Sequence, residues 1–250
     1  MRVASSWTRP PLVARSLLAL AVFGTCAVWL CAKASLVVPR GRALEELAYY
    51  PSGQWIGPLA LGERATWADL TWLRAIQYYG EHRTTDNQFV RMAHVFEIIT
   101  ALDPRHQNAY VFGGTSLAQE GKQFEAGVAL LERGRAEEPT TWIYPFEIGF
   151  LYFVQRRDVE QAALWFNEAV RKKDCPEYVR HFAAYTSGKA GYTEQAVMLW
   201  ESVAEETPNH VLRAKAVSEA RRLASGTPLS ASVERWAAGL AQKPLAGDGG

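Results

Sequence analysis

The sequence predicts an all-α chain: a helical solenoid of about four helix–turn–helix repeats, preceded by an apolar N-terminal helix that crosses a membrane. Three observations support this prediction. Small and large apolar residues recur with a period near 34 residues, a proline follows each recurrence, and residues 16–32 carry no charge. With 48% hydrophobic and 21% charged residues in a chain of 250, there are enough apolar side chains for a sizeable core.

The N-terminal apolar run predicts a membrane anchor. Residues 16–32 are uncharged, and a helix of that length spans roughly 25 Å, against a hydrocarbon core of about 30 Å. Arg15 and Lys33 bound the run, and their long side chains can reach the lipid headgroups. We therefore expect a basic leader at 1–15 and a transmembrane anchor or signal segment at 16–38. A cleaved signal peptide is the alternative, because Ala32–Lys33–Ala34 has the A-x-A pattern of a cleavage site.

The charges around this run give the expected location. Three basic residues precede it and three follow it, so the positive-inside rule does not fix the orientation. A short leader before a large C-terminal region is typical of a signal anchor. We therefore expect a single-pass protein of the inner (cytoplasmic) membrane, with the solenoid on the periplasmic side. Residues 39–66 are rich in Pro and Gly and are expected to form a linker.

The rest of the chain contains an internal repeat. One position of each repeat is small or apolar, with steps of 34, 36 and 34 residues: Met92, Ala126, Ala162 and Ala196. A large apolar residue follows four positions later: Phe96, Leu130, Phe166 and Trp200. A small residue precedes the first position by twelve: Gly80, Gly114, Gly149 (allowing one extra loop residue) and Ala184. Prolines close the repeats: Pro104, Pro139, Pro176 and Pro208. Small residues allow two helices to approach closely, and large ones fill the space between neighbouring repeats.

Over residues 67–208 the chain resembles the tetratricopeptide repeat (TPR) family, whose repeats are helix–turn–helix units of about 34 residues. The best match is the stretch 191–208, GYTEQAVMLWESVAEETP. The second repeat departs from the family pattern at Arg133, where a small residue is usual, and the first departs at Met92. Residues 50–82, YPSGQWIGPLALGERATWADLTWLRAIQYYGEH, also resemble a bacterial group of membrane-anchored TPR proteins.

The resemblance implies a TPR-type solenoid at 67–208. The amphipathic stretches within 209–242 are expected to be C-terminal capping helices, because the end of a solenoid needs a polar outer face. Residues 243–250, KPLAGDGG, are expected to be a disordered tail.

The resemblance also implies where a partner binds, since the first helix of each TPR repeat lines the concave face. The candidate partner-binding residues, carried over by position, are Arg74, Asn108, Phe146, Phe150, Phe153, Tyr178, His181 and Tyr185. This surface changes from polar to aromatic along the array, and aromatic surfaces suit an apolar partner segment. The alternative is that the aromatic stripe packs between helices as core.

Composition and motifs favour a non-catalytic binding protein. The formal net charge of +1 argues against a nucleic-acid partner. Common nucleotide-binding and catalytic motifs are absent, and so is C-x-x-C, so we expect no enzyme activity, no cofactor and no metal site. Cys175 is expected to be an unpaired loop thiol.

We therefore expect a membrane-anchored scaffold or adaptor that mediates protein–protein interaction in a bacterial envelope complex. Two alternatives remain open. One is a structural subunit of a membrane complex whose aromatic face is permanently buried, and the other is a cleaved periplasmic TPR protein or small-ligand carrier.

Overall fold

The computed structural model describes residues 12–37, 53–225 and 228–242, and the chain divides into two units, Met1–Tyr49 and Tyr50–Gly250. The described residues form twelve α-helices and no strand, so the predicted all-α class is confirmed. Most of the predicted leader, residues 38–52 around the start of the predicted linker, and the predicted tail at 243–250 lie outside the described residues.

The N-terminal unit contains helix α1, Leu12–Val37, which includes large exposed side chains such as Leu20, Phe23 and Trp29. Within the described parts of the chain, no helix combines the length and the apolar character that crossing a membrane requires. The predicted anchor and the predicted single-pass location in the inner membrane are therefore wrong.

The C-terminal unit contains eleven helices among its described residues. They are α2 (Gly53–Leu59), α3 (Arg64–Thr84), α4 (Met92–Leu102), α5 (Gln107–Gln119), α6 (Phe124–Glu137), α7 (Ile143–Leu151), α8 (Val159–Val170), α9 (Glu177–Lys189), α10 (Thr193–Glu206), α11 (His210–Ala224) and α12 (Ala231–Gln242). A π-helical turn, Tyr152–Arg156, continues α7. Helix α2 lies within the predicted linker at 39–66 and packs on α4, with Ile56 and Ala60 buried.

Helices α3 to α12 form five consecutive hairpins. The two helices of each hairpin contact each other, and from α3 to α11 each second helix contacts the first helix of the next hairpin. The predicted repeat prolines fall in the connections between hairpins, as the sequence pattern predicts: Pro104, Pro139, Pro176 and Pro208. Proline lacks a backbone N–H and cannot continue the preceding helix, so each one marks the start of a new hairpin.

Side-chain caps fix the beginning of several helices. Asp158 accepts a hydrogen bond from the Gln161 N–H at 2.9 Å at the start of α8. Asn209 accepts from the N–H groups of Val211 and Leu212 at 2.9 and 3.2 Å at the start of α11. Each cap satisfies backbone donors that have no partner within the helix, so the helix starts where the sequence places the cap.

The small-residue positions are confirmed in part. Ala162 and Ala196 are buried, as are Ala184 and the glycines at 114 and 149. Gly80 is exposed, and a Cβ built on it would have no neighbour within 4 Å, so its predicted role in close helix packing is wrong. Helix α3 instead buries Ala68, Ala75 and Tyr78.

The predicted register of the second repeat is wrong by one residue. Ala126 is exposed, whereas Gly127 is buried directly against Gly114 of the facing helix. Gly134, not Arg133, occupies the small position one turn before the helix end, where Tyr144 and Tyr110 lie against it. The α5 and α6 backbones approach so closely that only glycine fits at their crossing. The neighbouring alanines and leucines fit the predicted register and the observed one equally well, so the sequence pattern could not distinguish the two.

The extra residue in the third repeat lies at the end of the first helix. In the π-helical turn after α7, the Arg157 N–H bonds to the Tyr152 C=O five residues earlier, and Arg157 takes a left-handed φ of 54°. A π-helical turn holds one more residue than an α-helical turn, so it absorbs the residue assigned to the loop by the sequence.

Candidate functional site

Seven aromatic side chains of α7, the residue that precedes it, its π-helical turn and α9 form a surface that we call the aromatic face. Its residues are Trp142, Phe146, Phe150, Phe153, Tyr178, Phe182 and Tyr185. Phe146, Phe150 and Phe153 are spaced by four and three residues, so they lie on one side of α7. Tyr178, Phe182 and Tyr185 have the same spacing on α9, and the two stripes meet.

Phe182 is the centre of the aromatic face. Its ring contacts Phe146, Phe150 and Phe153 of the neighbouring helix, with centroid distances of 5.7, 6.3 and 6.5 Å. All three pairs are near-perpendicular, which is a favourable geometry for aromatic rings. Phe182 was not among the predicted site residues, although its position four after Tyr178 and three before Tyr185 is a signal that the sequence contained.

A second ring group lies at the start of α7. Trp142, Phe146 and Tyr178 contact one another, with centroid distances of 5.8 Å for Trp142–Phe146, 5.8 Å for Trp142–Tyr178 and 5.4 Å for Phe146–Tyr178. These three rings pack edge to face without a gap between them. They therefore present one continuous apolar surface rather than a cage around a small ligand.

The aromatic face rests on the core. Phe166 of α8 is fully buried beneath it and contacts Phe146 at 5.5 Å and Phe182 at 5.4 Å. The outer rings keep much of their surface in solvent: Tyr178 is 46% exposed and Tyr185 is 42% exposed. The aromatic stripe therefore packs on the core at one side and is in contact with solvent at the other.

An acidic residue lies within this surface. Glu147 follows Ile143 by four residues and precedes Phe150 by three, so its carboxyl has an apolar side chain before and after it on the same side of α7. Glu147 is half-buried, and this burial raises the pKa of its carboxyl to about 7. Burial raises the pKa of Tyr178 on α9, and the negative charge of Glu147 adds to this shift. Within the described residues Glu147 has no hydrogen-bond or ion-pair partner.

Basic residues lie at the other end of the aromatic face. Lys189 Nζ is 5.9 Å from the centre of the Tyr185 ring. Beyond it, a cavity of about 270 Å³ between α9 and α11 is lined by Tyr185, Lys189, Trp200, Arg222 and others. The surface thus passes from an acidic residue on α7, across the rings, to basic residues on α9 and α11.

The structure groups five of the eight predicted site residues. Phe146, Phe150, Phe153, Tyr178 and Tyr185 all belong to the aromatic face.

The remaining three predicted residues lie elsewhere. His181 packs edge-on against Trp200 of α10 at 5.2 Å behind Phe182, whose ring centre is 6.2 Å away, and burial lowers the pKa of His181. Arg74 is on α3, where it donates to Gln77 on its own helix at 3.4 Å, and Asn108 is exposed in the first turn of α5. Helical spacing alone does not show which side of α9 turns towards α10, so the contact of His181 with Trp200 could not be predicted from the sequence.

Other chemically capable residues lack the surroundings of a reactive site. In the described part of the chain, no group of three His, Cys, Asp or Glu side chains could hold a metal ion. Burial raises the pKa of the Cys175 thiol, which keeps it in its unreactive protonated form. His82 Nδ1 and Asp86 Oδ1 are 2.6 Å apart and join the end of α3 to the following turn.

Comparison with known proteins adds no further assignment. The chain matches no protein-family model, and no curated protein is significantly similar to it.

Proposed function

We propose that this chain is a TPR-type repeat protein that acts as a scaffold or adaptor and holds a partner protein against its aromatic face. The succession of hairpins supports the repeat assignment, because each helix contacts mainly its neighbours in the chain, as in solenoid proteins. Helices α4 to α10 run for 9 to 14 residues, which suits a repeat of about 34 residues.

The half-exposed rings are the observation that carries the proposed function. A ring that serves only as core is covered on both sides, whereas Tyr178 and Tyr185 leave 46% and 42% of their surface in solvent. Contiguous exposed aromatic surface is typical of protein-binding sites, where rings supply large contact areas at little cost in conformational entropy. The buried Phe166 holds the rings in place before a partner binds, which reduces the ordering cost of binding.

The test is a comparison of partners captured by two double variants of the full chain. Tyr178→Glu with Tyr185→Glu places two charges on the aromatic face at positions already in contact with solvent. Leu164→Glu with Met198→Glu is the matched control, because these side chains are 52% and 61% exposed and lie on second helices of their hairpins, α8 and α10. Both pairs replace exposed apolar side chains with carboxylates, so they change net charge equally.

We expect a co-purifying partner from native-host extracts to be lost with the face variant and kept with the control. Circular dichroism of both variants checks that the helices remain folded. An identical set of partners for wild type and face variant would show that binding does not use the aromatic face.

A further inference from the structure

The aromatic face contains a feature that an apolar partner alone would not satisfy. Glu147 lies between Ile143 and Phe150 on α7, half-buried and without a hydrogen-bond or ion-pair partner in the described chain. Removing a carboxylate from water is costly unless a cation or hydrogen-bond donors compensate it. An apolar segment that covered this surface would complete the burial of Glu147 and increase that cost.

We propose that the partner segment is a peptide that places one lysine or arginine on Glu147, with apolar side chains on either side of it resting on the rings. This inference rests on the proposed function and specifies its partner. Phe146 is next to Glu147 in the chain and contacts the rings of Trp142 and Tyr178, so the aliphatic stem of a lysine or arginine at Glu147 lies along these rings while its charged end meets the carboxylate.

The charge distribution favours this occupant over an acidic one. At the opposite end of the face Lys189 already lies over the Tyr185 ring, and Arg222 pairs with Glu219 at 2.6 Å. Glu147, by contrast, has neither an ion pair nor a ring contact that compensates its charge among the described residues. A partner with a basic residue complements it, whereas an acidic residue there would add a like charge in a desolvated position.

A selection from a random peptide library displayed on phage tests this directly, with the full-length wild-type chain and Glu147→Lys as separate targets. We expect wild-type selections to be enriched in Lys or Arg with apolar neighbours, and Glu147→Lys selections to replace the basic residue with Asp or Glu. Glu160→Lys on α8 is the control, because Glu160 is exposed and outside the face, and it should select the same peptides as wild type.

Synthetic peptides from the wild-type selection then allow a double-mutant cycle. Replacing the selected basic residue by Gln, or Glu147 by Gln, should each weaken binding at least about tenfold, because each leaves one buried charge unpaired. Both changes together should cost no more than one of them. The near-isosteric Gln preserves the fold if Glu147→Lys does not, and circular dichroism checks both variants.

The outcomes separate this inference from the proposed function. Peptides that lack a basic residue, yet lose binding to Tyr178→Glu with Tyr185→Glu, would overturn the role of Glu147 and leave the aromatic face as a binding site. Peptides that contain a basic residue but bind Glu147→Gln as tightly as wild type would also overturn the role of Glu147 and leave the aromatic face as a binding site. If no peptide is selected and wild type elutes as a dimer that the face variant dissociates, a second copy occupies the face and the inference is wrong.

Discussion

The α5–α6 hairpin and the aromatic face between α7 and α9 use opposite solutions to pack neighbouring helices. In α5–α6 the backbones meet at Gly114 and Gly127, and a Cβ on Gly114 would lie 2.9 Å from the Gly127 carbonyl oxygen. Between α7 and α9, by contrast, the helices are held apart by phenylalanine rings around Phe182. The glycine contact leaves no side chain to share with a partner, whereas the ring contact leaves Tyr178 and Tyr185 46% and 42% exposed at its edge.

The largest expected effect comes from adding a side chain to the glycine contact. A Cβ on Gly127 would overlap the Gly114 carbonyl oxygen and lie 2.9 Å from Ala118 Cβ, and backbone atoms cannot move aside as a flexible side chain does. Gly127→Ala should therefore destabilise the protein by about 3 kcal/mol, even though alanine is the better helix former. Urea unfolding followed by circular dichroism measures this, and a neutral or stabilising result would contradict the observed register.

Removing a ring from the aromatic face should cost less. Phe182→Ala deletes the central ring, but the side chain is only partly buried, so we expect a loss of about 2 kcal/mol rather than the 3–5 typical of a fully buried phenylalanine. Tyr185→Ala is the matched control at the edge of the same stripe and should cost less than about 1 kcal/mol. Equal losses for both would mean that the rings are not organised around Phe182.

These two regions also explain what the sequence could predict. The helices of the repeats and the repeat prolines follow from local rules of periodicity and could be predicted from the sequence, whereas helix α2 lies in a Pro- and Gly-rich segment that was predicted to be a linker. The sequence could not show whether Ala126 or Gly127 faces α5, because both residues are small. Only the three-dimensional packing of α5 against α6 distinguishes them. The stripe of Phe146, Phe150 and Phe153 could be predicted from its spacing. The burial of Glu147 could not, because a single acidic residue in a helix is usually solvated.

The third prediction uses pH to examine the acidic position of the aromatic face. The folded state raises the pKa of Glu147 from 4.5 to about 7, so folding favours the protonated carboxyl. The resulting stability is fully present below pH 4.5 and is lost as the pH rises to about 7. The full shift corresponds to roughly 3 kcal/mol, and we expect about 1–2 kcal/mol after relaxation of the surroundings.

Glu147→Gln removes this titration. Relative to wild type, the variant should gain stability progressively between pH 4.5 and 7 and keep a constant advantage above that range. The measurement is the difference in unfolding free energy between the two proteins at pH 4.5 and at pH 8. Contributions from the titration of the other carboxyl groups are the same in both proteins and cancel in this difference. Glu160→Gln provides the control, and a difference that does not change with pH would mean that Glu147 is solvated.

The smallest expected effect, and the one whose sign is most informative, is at Gly80. This glycine lies within α3 at the position that the repeat pattern equates with Gly114, but a Cβ there meets nothing within 4 Å. Gly80→Ala should therefore stabilise the protein by about 0.5–1 kcal/mol, because alanine restricts the unfolded chain and favours the helix. The urea midpoint of Gly80→Ala measures this gain, and Gly127→Ala, whose midpoint should fall, serves as the comparison. A loss of stability would instead place Gly80 at a close helix crossing, and the first hairpin would then pack through glycine as the second one does.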